Sequence, residues 1–168
     1  PPQMVARGFC RASIGTVSHL PVLRLSPVKE NRNNCPFLTG DHCAIHEAEP
    51  LVCALYPLAQ EISREGEVSY FLQPTACGGR VIEANVEDYL SRYDVPAREQ
   101  TDVRWALGCM ELEDVVEQAE TLLSPVLVRR MQAKLWQALY FNYDYAQLFL
   151  PQLERNLDWL NGEIIKLT

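Results

Sequence analysis

Four of the six cysteines stand close together in the chain, at Cys35, Cys43, Cys53 and Cys77. Thiolates at this density bind a metal ion or an iron-sulfur cluster, or they pair as disulfides. None of the gaps between them is the short Cys-x-x-Cys gap that lets one tight turn present two thiolates to one ion. The spacing therefore leaves two interpretations open: a shared metal or cluster, or buried cysteines that pack as small hydrophobic residues.

Two histidines near Cys43 are further candidate ligands. His42 and His46 bracket this cysteine, so the segment contains a Cys-x-x-His pair. Imidazole nitrogen binds zinc alongside thiolate sulfur in many proteins. A loop histidine more often caps a turn or faces solvent, and the sequence favours that interpretation for both residues.

Charge and hydropathy restrict the class of partner. The chain of 168 residues has a formal net charge of -7 and a pI near 5.0. Because no stripe of Lys and Arg relieves this charge, phosphate backbones are repelled and no nucleic-acid partner is expected. No segment approaches the roughly 18 consecutive apolar residues of a membrane span, and no charged-then-apolar leader precedes the domain. These features predict a cytoplasmic protein without a membrane partner, in which a reducing environment favours metal binding over a disulfide framework.

The cysteine segment is predicted to lie in loops and short elements. Residues 1–34 show few helix signals, and residues 22–25 alternate as in a strand. A short helix carrying Cys53 is expected over residues 50–55, because proline suits the first position of a helix. Alternating apolar residues over 58–73 predict a β-hairpin.

The second half of the chain is predicted to be helical. Gly108 is expected to break the helical pattern between two of the segments. Helices are predicted from Asn85, over 96–107, over 111–123, from Ser124 and from about Tyr145. The last two are expected to pack antiparallel.

These elements predict an α+β fold that is mostly α. The loop-rich cysteine part with its β-hairpin covers residues 1–84, and a bundle-like helical part covers residues 85–168. Both are expected to form one compact domain together.

The residues around the cysteines also resemble a known family. The matching phrases are Cys35-Pro36-Phe37-Leu38, Cys43-Ala44-Ile45-His46, Pro50-Leu51-Val52-Cys53-Ala54-Leu55-Tyr56-Pro57 and Cys77-Gly78. In this order they resemble the YkgJ-type cysteine-cluster proteins, a bacterial and archaeal family described as zinc- or iron-chelating. The resemblance covers about residues 20–80 closely and the helical tail more loosely.

This resemblance implies a ligand set and a range of cofactors. It implies that Cys35, Cys43, Cys53 and Cys77 bind the metal, and it favours them over the histidines. A related cysteine pattern occurs in flagellin lysine-N-methylases, so the resemblance implies either zinc or an iron-sulfur cluster as the cofactor.

The start of the chain departs from the family pattern. Members of the family typically open with a dense Cys-x-x-Cys-x-x-Cys-Cys run, whereas this chain offers only Cys10, which the resemblance adds as a possible further ligand. Residues 11–20 do not continue the run, so either this chain has lost the run or, as we expect, the chain is interrupted near residues 10–20. Cys109 lies far from the motif beside apolar residues and is expected to belong to the core.

The sequence thus predicts a metal-binding cysteine-cluster protein with a structural, sensing or accessory role. The alternative is an iron-sulfur-dependent enzyme of redox or methyl-transfer type, related to protein lysine methylases. A structural site should be closed, whereas an enzyme should keep an open coordination position beside a pocket.

Overall fold

Helix dominates the structure, a computed structural model that describes residues 2–27, 34–74, 85–92 and 94–168. Helices contain 55% of the residues and strands contain 17%, and the strands form small hairpin sheets. The predicted α+β, mostly α, fold class is confirmed.

The chain divides into two compact units. The first consists of Pro1–Asp41 with Gly108–Thr168, and the second is His42–Leu107. These limits differ from the boundary at 84/85 that the sequence suggested, since both ends of the chain contribute to the first unit.

The first unit contains one hairpin and the longer helices. Strands β1 and β2 pair antiparallel, with Cys10 opposite Leu25 and Ile14 opposite Pro21. The elements of this unit are helix α1 (Pro2–Phe9), β1 (Cys10–Ile14), β2 (Pro21–Leu25), β3 (Leu38–Thr39), the C-terminal part of α4 (Val95–Leu122), α5 (Pro125–Trp136) and α6 (Phe149–Ile165). Its fully buried large side chains are Leu112, Val116, Met131, Leu135, Leu153, Leu160 and Ile164.

Helices α5 and α6 run antiparallel, as predicted. Lys134 Nζ lies 2.5 Å from Glu163 Oε2, whereas the later Ala138 carbonyl accepts a 3.2 Å hydrogen bond from Asn156 Nδ2. The later residue, Ala138, thus contacts an earlier position of α6 than Lys134 does, as expected for antiparallel helices. Between the two helices, the Asn142 N–H donates to the Gln137 carbonyl at 2.9 Å, which makes Gln137–Phe141 a π-helical turn.

Two buried polar side chains of α6 hold this irregular connection. Asn156 donates to the carbonyls of Ala138 and Asn142 and accepts from Asn142 Nδ2 at 2.9 Å. One turn earlier, Gln152 accepts from the Asp144 N–H at 2.7 Å and donates to the Asp144 carbonyl at 3.0 Å. The backbone groups that the π-helical turn and the following loop leave open are thus satisfied from one face of α6.

The second unit contains Cys43, Cys53 and Cys77, a hairpin and the N-terminal part of α4. Its elements are β4 (His42–Cys43), a 3₁₀ turn (His46–Ala48), α2 (Leu51–Ala54), β5 (Leu58–Ile62), β6 (Val68–Leu72), α3 (Val86–Arg92) and the beginning of α4 (Val95–Leu122). Strands β5 and β6 pair antiparallel around Gly66, whose φ of +82° suits glycine. The predicted hairpin and short helix are confirmed.

A polar contact joins this hairpin to α4. The Tyr70 hydroxyl donates to Glu99 Oε2 at 2.7 Å and accepts from Gln60 Nε2 at 3.2 Å. Burial, together with the hydrogen bond to Glu99, raises the pKa of Tyr70 to about 12. The hairpin is therefore held on α4 in part by hydrogen bonds of a phenol that stays protonated.

Four predictions about the elements are wrong. Helix α4 continues through Gly108, because an interior glycine costs only about 1 kcal/mol and does not by itself end a helix. Residues 2–9 form a helix rather than a loop, and the Phe9 ring packs 4.9 Å from that of Phe37. Residues 10–25 form one continuous hairpin, which contradicts the expected interruption.

The fourth error concerns the start of α6, which lies at Phe149 rather than near Tyr145. Asp144 Oδ1 accepts from the Ala146 N–H at 3.0 Å, and its carbonyl accepts from the Gln147 N–H at 3.2 Å. Such a side-chain turn competes with helix formation and delays the helix.

Replacing Asn156 by Ala is expected to lower the free energy of unfolding by roughly 1–3 kcal/mol, because buried backbone carbonyls lose their donor. The matched control is Asp158→Ala on the exposed face of the same helix, with an expected change within about 0.5 kcal/mol. Urea denaturation followed by circular dichroism measures both. Equal stability of the two variants would contradict the role assigned to Asn156.

Candidate metal site

The structure describes five of the six cysteines, and Cys77 lies outside the described residues. No disulfide joins any two of these five. Cys35 belongs to the first unit, and Cys43 and Cys53 belong to the second.

Cys35, Cys43 and Cys53 are all exposed. Cysteine is otherwise among the residue types most often found fully buried. Exposure of all three argues against the interpretation of these residues as small hydrophobic core residues.

Local structure explains where each of these thiols stands. Cys35 opens a turn, because its carbonyl accepts from the Leu38 N–H at 3.1 Å. Cys43 is the last residue of β4. Cys53 lies on α2, which follows Pro50 and places Ala54 in the interior while Cys53 faces outward.

Helix α2 is fixed to α3 by one tyrosine. The Tyr89 hydroxyl lies 2.5 Å from the Tyr56 carbonyl and 3.4 Å from the Ala54 carbonyl. The Ala54 carbonyl lies at the end of α2, where helix carbonyls have no partner within the helix, and Tyr56 follows two residues later. Tyr89 thereby fixes the position of the helix that carries Cys53.

His46 has a carboxylate partner. Its Nδ1 lies 3.3 Å from Glu49 Oε2, across the 3₁₀ turn His46–Ala48. The His46 side chain is 70% exposed, whereas that of Glu49 is only 13% exposed. Sequence reasoning missed Glu49, although its position three residues after His46 is the spacing that brings side chains together on a helical turn.

The remaining two cysteines lie in less accessible surroundings. Cys10, the possible further ligand, is half-buried on β1, and burial raises the pKa of its thiol. For Cys109 on α4, burial and the nearby Glu113 carboxylate raise the pKa to about 11. A thiol that resists ionisation to this extent is a poor ligand at neutral pH, in line with the core role expected for Cys109.

Among residues 2–27, 34–74, 85–92 and 94–168, no three His, Cys, Asp or Glu side chains are grouped so that they could hold a metal ion. Since Cys77 falls outside these ranges, the convergence of the full predicted set, Cys35, Cys43, Cys53 and Cys77, stays a prediction.

Few apolar side chains are fully buried among the described residues of the second unit. Within its described residues, only three hydrophobic side chains are buried, those of Ala54, Leu55 and Val95, against twelve in the first unit. A unit of this size with so few buried side chains usually depends on a disulfide or a structural metal. Three of the four clustered cysteines, Cys43, Cys53 and Cys77, belong to this unit.

The chain matches no protein-family model, no curated protein and no solved structure. The likeness to the YkgJ-type family therefore stays an expectation from the residues. Within the part of the chain that the structure describes, every helix is too short or too polar to cross a membrane.

A short pulse of iodoacetamide at pH 8 is expected to modify Cys35 and Cys43 well before Cys109. Alkylation requires the thiolate, and a pKa of about 11 leaves roughly one Cys109 in a thousand ionised at that pH. Peptide mass spectrometry measures the extent of labelling at each position, and labelling in urea supplies the unfolded reference. Native labelling of Cys109 as fast as that of Cys43 would contradict the burial described.

Proposed function

We propose that the protein binds a metal centre, zinc or an iron-sulfur cluster, through thiolates of its cysteine-rich segment. The observation that carries this proposal is the exposure of Cys43 and Cys53 on a unit that buries few apolar side chains. A centre held by these thiolates would cross-link short elements that hydrophobic packing leaves weakly connected.

The donor chemistry supports this function. Thiolate is the preferred protein ligand of structural zinc sites and of iron-sulfur clusters. Exposed thiols lose their protons at a lower cost in desolvation than buried ones, and the metal itself favours the thiolate form. Bound zinc would supply rigidity, and a bound cluster would in addition supply a redox couple.

The candidate cysteine ligands differ in how strongly the observations support them. Cys43 and Cys53 are supported by their exposure, and Cys77 by the sequence of the same unit. Cys35 is exposed but belongs to the first unit, so its membership depends on the sequence pattern. Cys10 has the weakest support because burial raises the pKa of its thiol.

Replacing Cys53 by Ser is expected to lower the metal content of protein purified without oxygen, because the variant lacks one thiolate ligand. Zinc and iron are measured by elemental analysis, and visible absorption distinguishes a cluster from zinc. The matched control is Cys109→Ala, which removes a thiol outside the site and should keep the metal content of the unmodified protein.

Two results would contradict this proposal. Cys53→Ser and Cys109→Ala could hold the same amount of metal per chain, which would remove Cys53 from the ligand set. Alternatively, the unmodified protein could bind neither added zinc nor iron and sulfide, which would reject the metal-binding function itself.

A further inference from the structure

We propose that strand β1 binds an extended acidic segment of a partner protein, which adds to the β1–β2 hairpin as a third strand. This inference concerns the first unit and does not depend on the proposed metal site. Three observations carry it: the open backbone edge of β1, the covered edge of β2, and two exposed arginines that lie side by side on one face of the hairpin.

The hydrogen bonds at the two ends of the hairpin fix which residues of β1 bond to β2. At one end the Ser26 N–H donates to the Phe9 carbonyl at 2.8 Å, and at the other the Gly15 N–H donates to the Leu20 carbonyl at 2.9 Å. In an antiparallel pair, residues that exchange hydrogen bonds alternate with residues that do not. Every second residue of β1, counted from Phe9, therefore bonds to β2, and the residues between them direct their backbone groups outward.

One edge of the hairpin is open and the other is covered. Ala12 and Ile14 of β1 direct their N–H and C=O groups outward, and both residues are exposed. On the opposite edge, the Tyr140 hydroxyl donates to the Pro21 carbonyl at 3.0 Å, and proline has no N–H to offer. An added strand can therefore pair with β1 and not with β2.

Arg11 and Arg24 determine the charge of the segment that fits this edge. They lie directly opposite each other on one face of the hairpin, and both are exposed. Like charges in this position destabilise a strand pair. Among the described residues, no carboxylate forms an ion pair with either guanidinium. An acidic side chain on an added strand would offset this repulsion.

The geometry of an added strand suits such a contact. The residue opposite Arg11 would belong to a pair without hydrogen bonds, in which side chains lie closest together. An added strand would lie roughly 5 Å from β1 and roughly 10 Å from β2, within reach of both long side chains. A second copy of this chain fits less well, because pairing of two β1 edges would bring the Arg11 guanidiniums of both copies to one small sheet.

A dye-labelled peptide of about seven residues that alternates glutamate with valine is the probe, titrated against the chain and followed by fluorescence anisotropy. It should bind more tightly than the same peptide with lysine in place of glutamate. Binding should also slow amide exchange at Ala12 and Ile14, measured by NMR, and leave Arg11 and Ser13 nearly unchanged because their amides already bond to β2.

Matched variants separate strand pairing from charge attraction. Arg11→Glu should weaken binding of the glutamate peptide by about tenfold, because repulsion replaces attraction across the strands. Ala12→Pro removes an outward N–H, which an edge strand tolerates, and should abolish binding. Ala12→Val keeps this N–H and should bind within about twofold of the unmodified protein.

Three results would overturn the proposal. The glutamate peptide could fail to bind, or bind no more tightly than the lysine peptide. A glutamate peptide whose amides facing β1 are N-methylated could bind as tightly as the unmodified peptide, which would indicate charge attraction without strand pairing. Protection of Ala12 and Ile14 could rise with protein concentration in the absence of peptide, which would assign the edge to a second copy of the chain.

Discussion

The scarcity of apolar burial in His42–Leu107 is the constraint on which this account depends. Ordering each residue of a small unit costs conformational entropy, and the burial of apolar surface normally offsets this cost. Among the described residues of this unit, only Ala54, Leu55 and Val95 are buried hydrophobic residues. Hydrogen bonds such as that from Tyr70 to Glu99 fix geometry but add little net stability, since water offers similar partners to the unfolded chain. A metal held by thiolates is the additional stabilising element that we propose for this unit.

The first unit offsets the same entropy cost by burying apolar side chains. Helices α5 and α6 pack on each other, and the fully buried large side chains of this unit come from α4, α5 and α6. Its irregular feature, the π-helical turn before α6, is compensated by Asn156 and Gln152 from inside the packed face. In this unit, burial together with the nearby Glu113 carboxylate raises the pKa of Cys109 on α4 to about 11.

Features determined by neighbouring residues were predictable from the sequence, and those determined by distant packing were not. The hairpin around Gly66 and the cap in which Asn85 Oδ1 accepts from the Asp88 N–H follow from local rules. The predicted break at Gly108 was wrong, because one interior glycine costs a helix little free energy compared with the burial that a continuous α4 achieves. In the candidate site, residue types indicated candidate ligands, but the exposure of the thiols and the contact between His46 and Glu49 required three-dimensional positions.

Hydrogen exchange of the unmodified protein, measured by mass spectrometry with zinc bound and after its removal by a chelator, tests the central claim most directly. The account predicts that removal of the metal accelerates exchange across residues 42–107, while the buried faces of α5 and α6 keep their protection, because metal binding and folding are coupled only in the unit with the sparse core. Equal protection of residues 42–107 with and without metal would contradict it, since that unit would then be stable without the cross-link that its exposed thiols are proposed to supply.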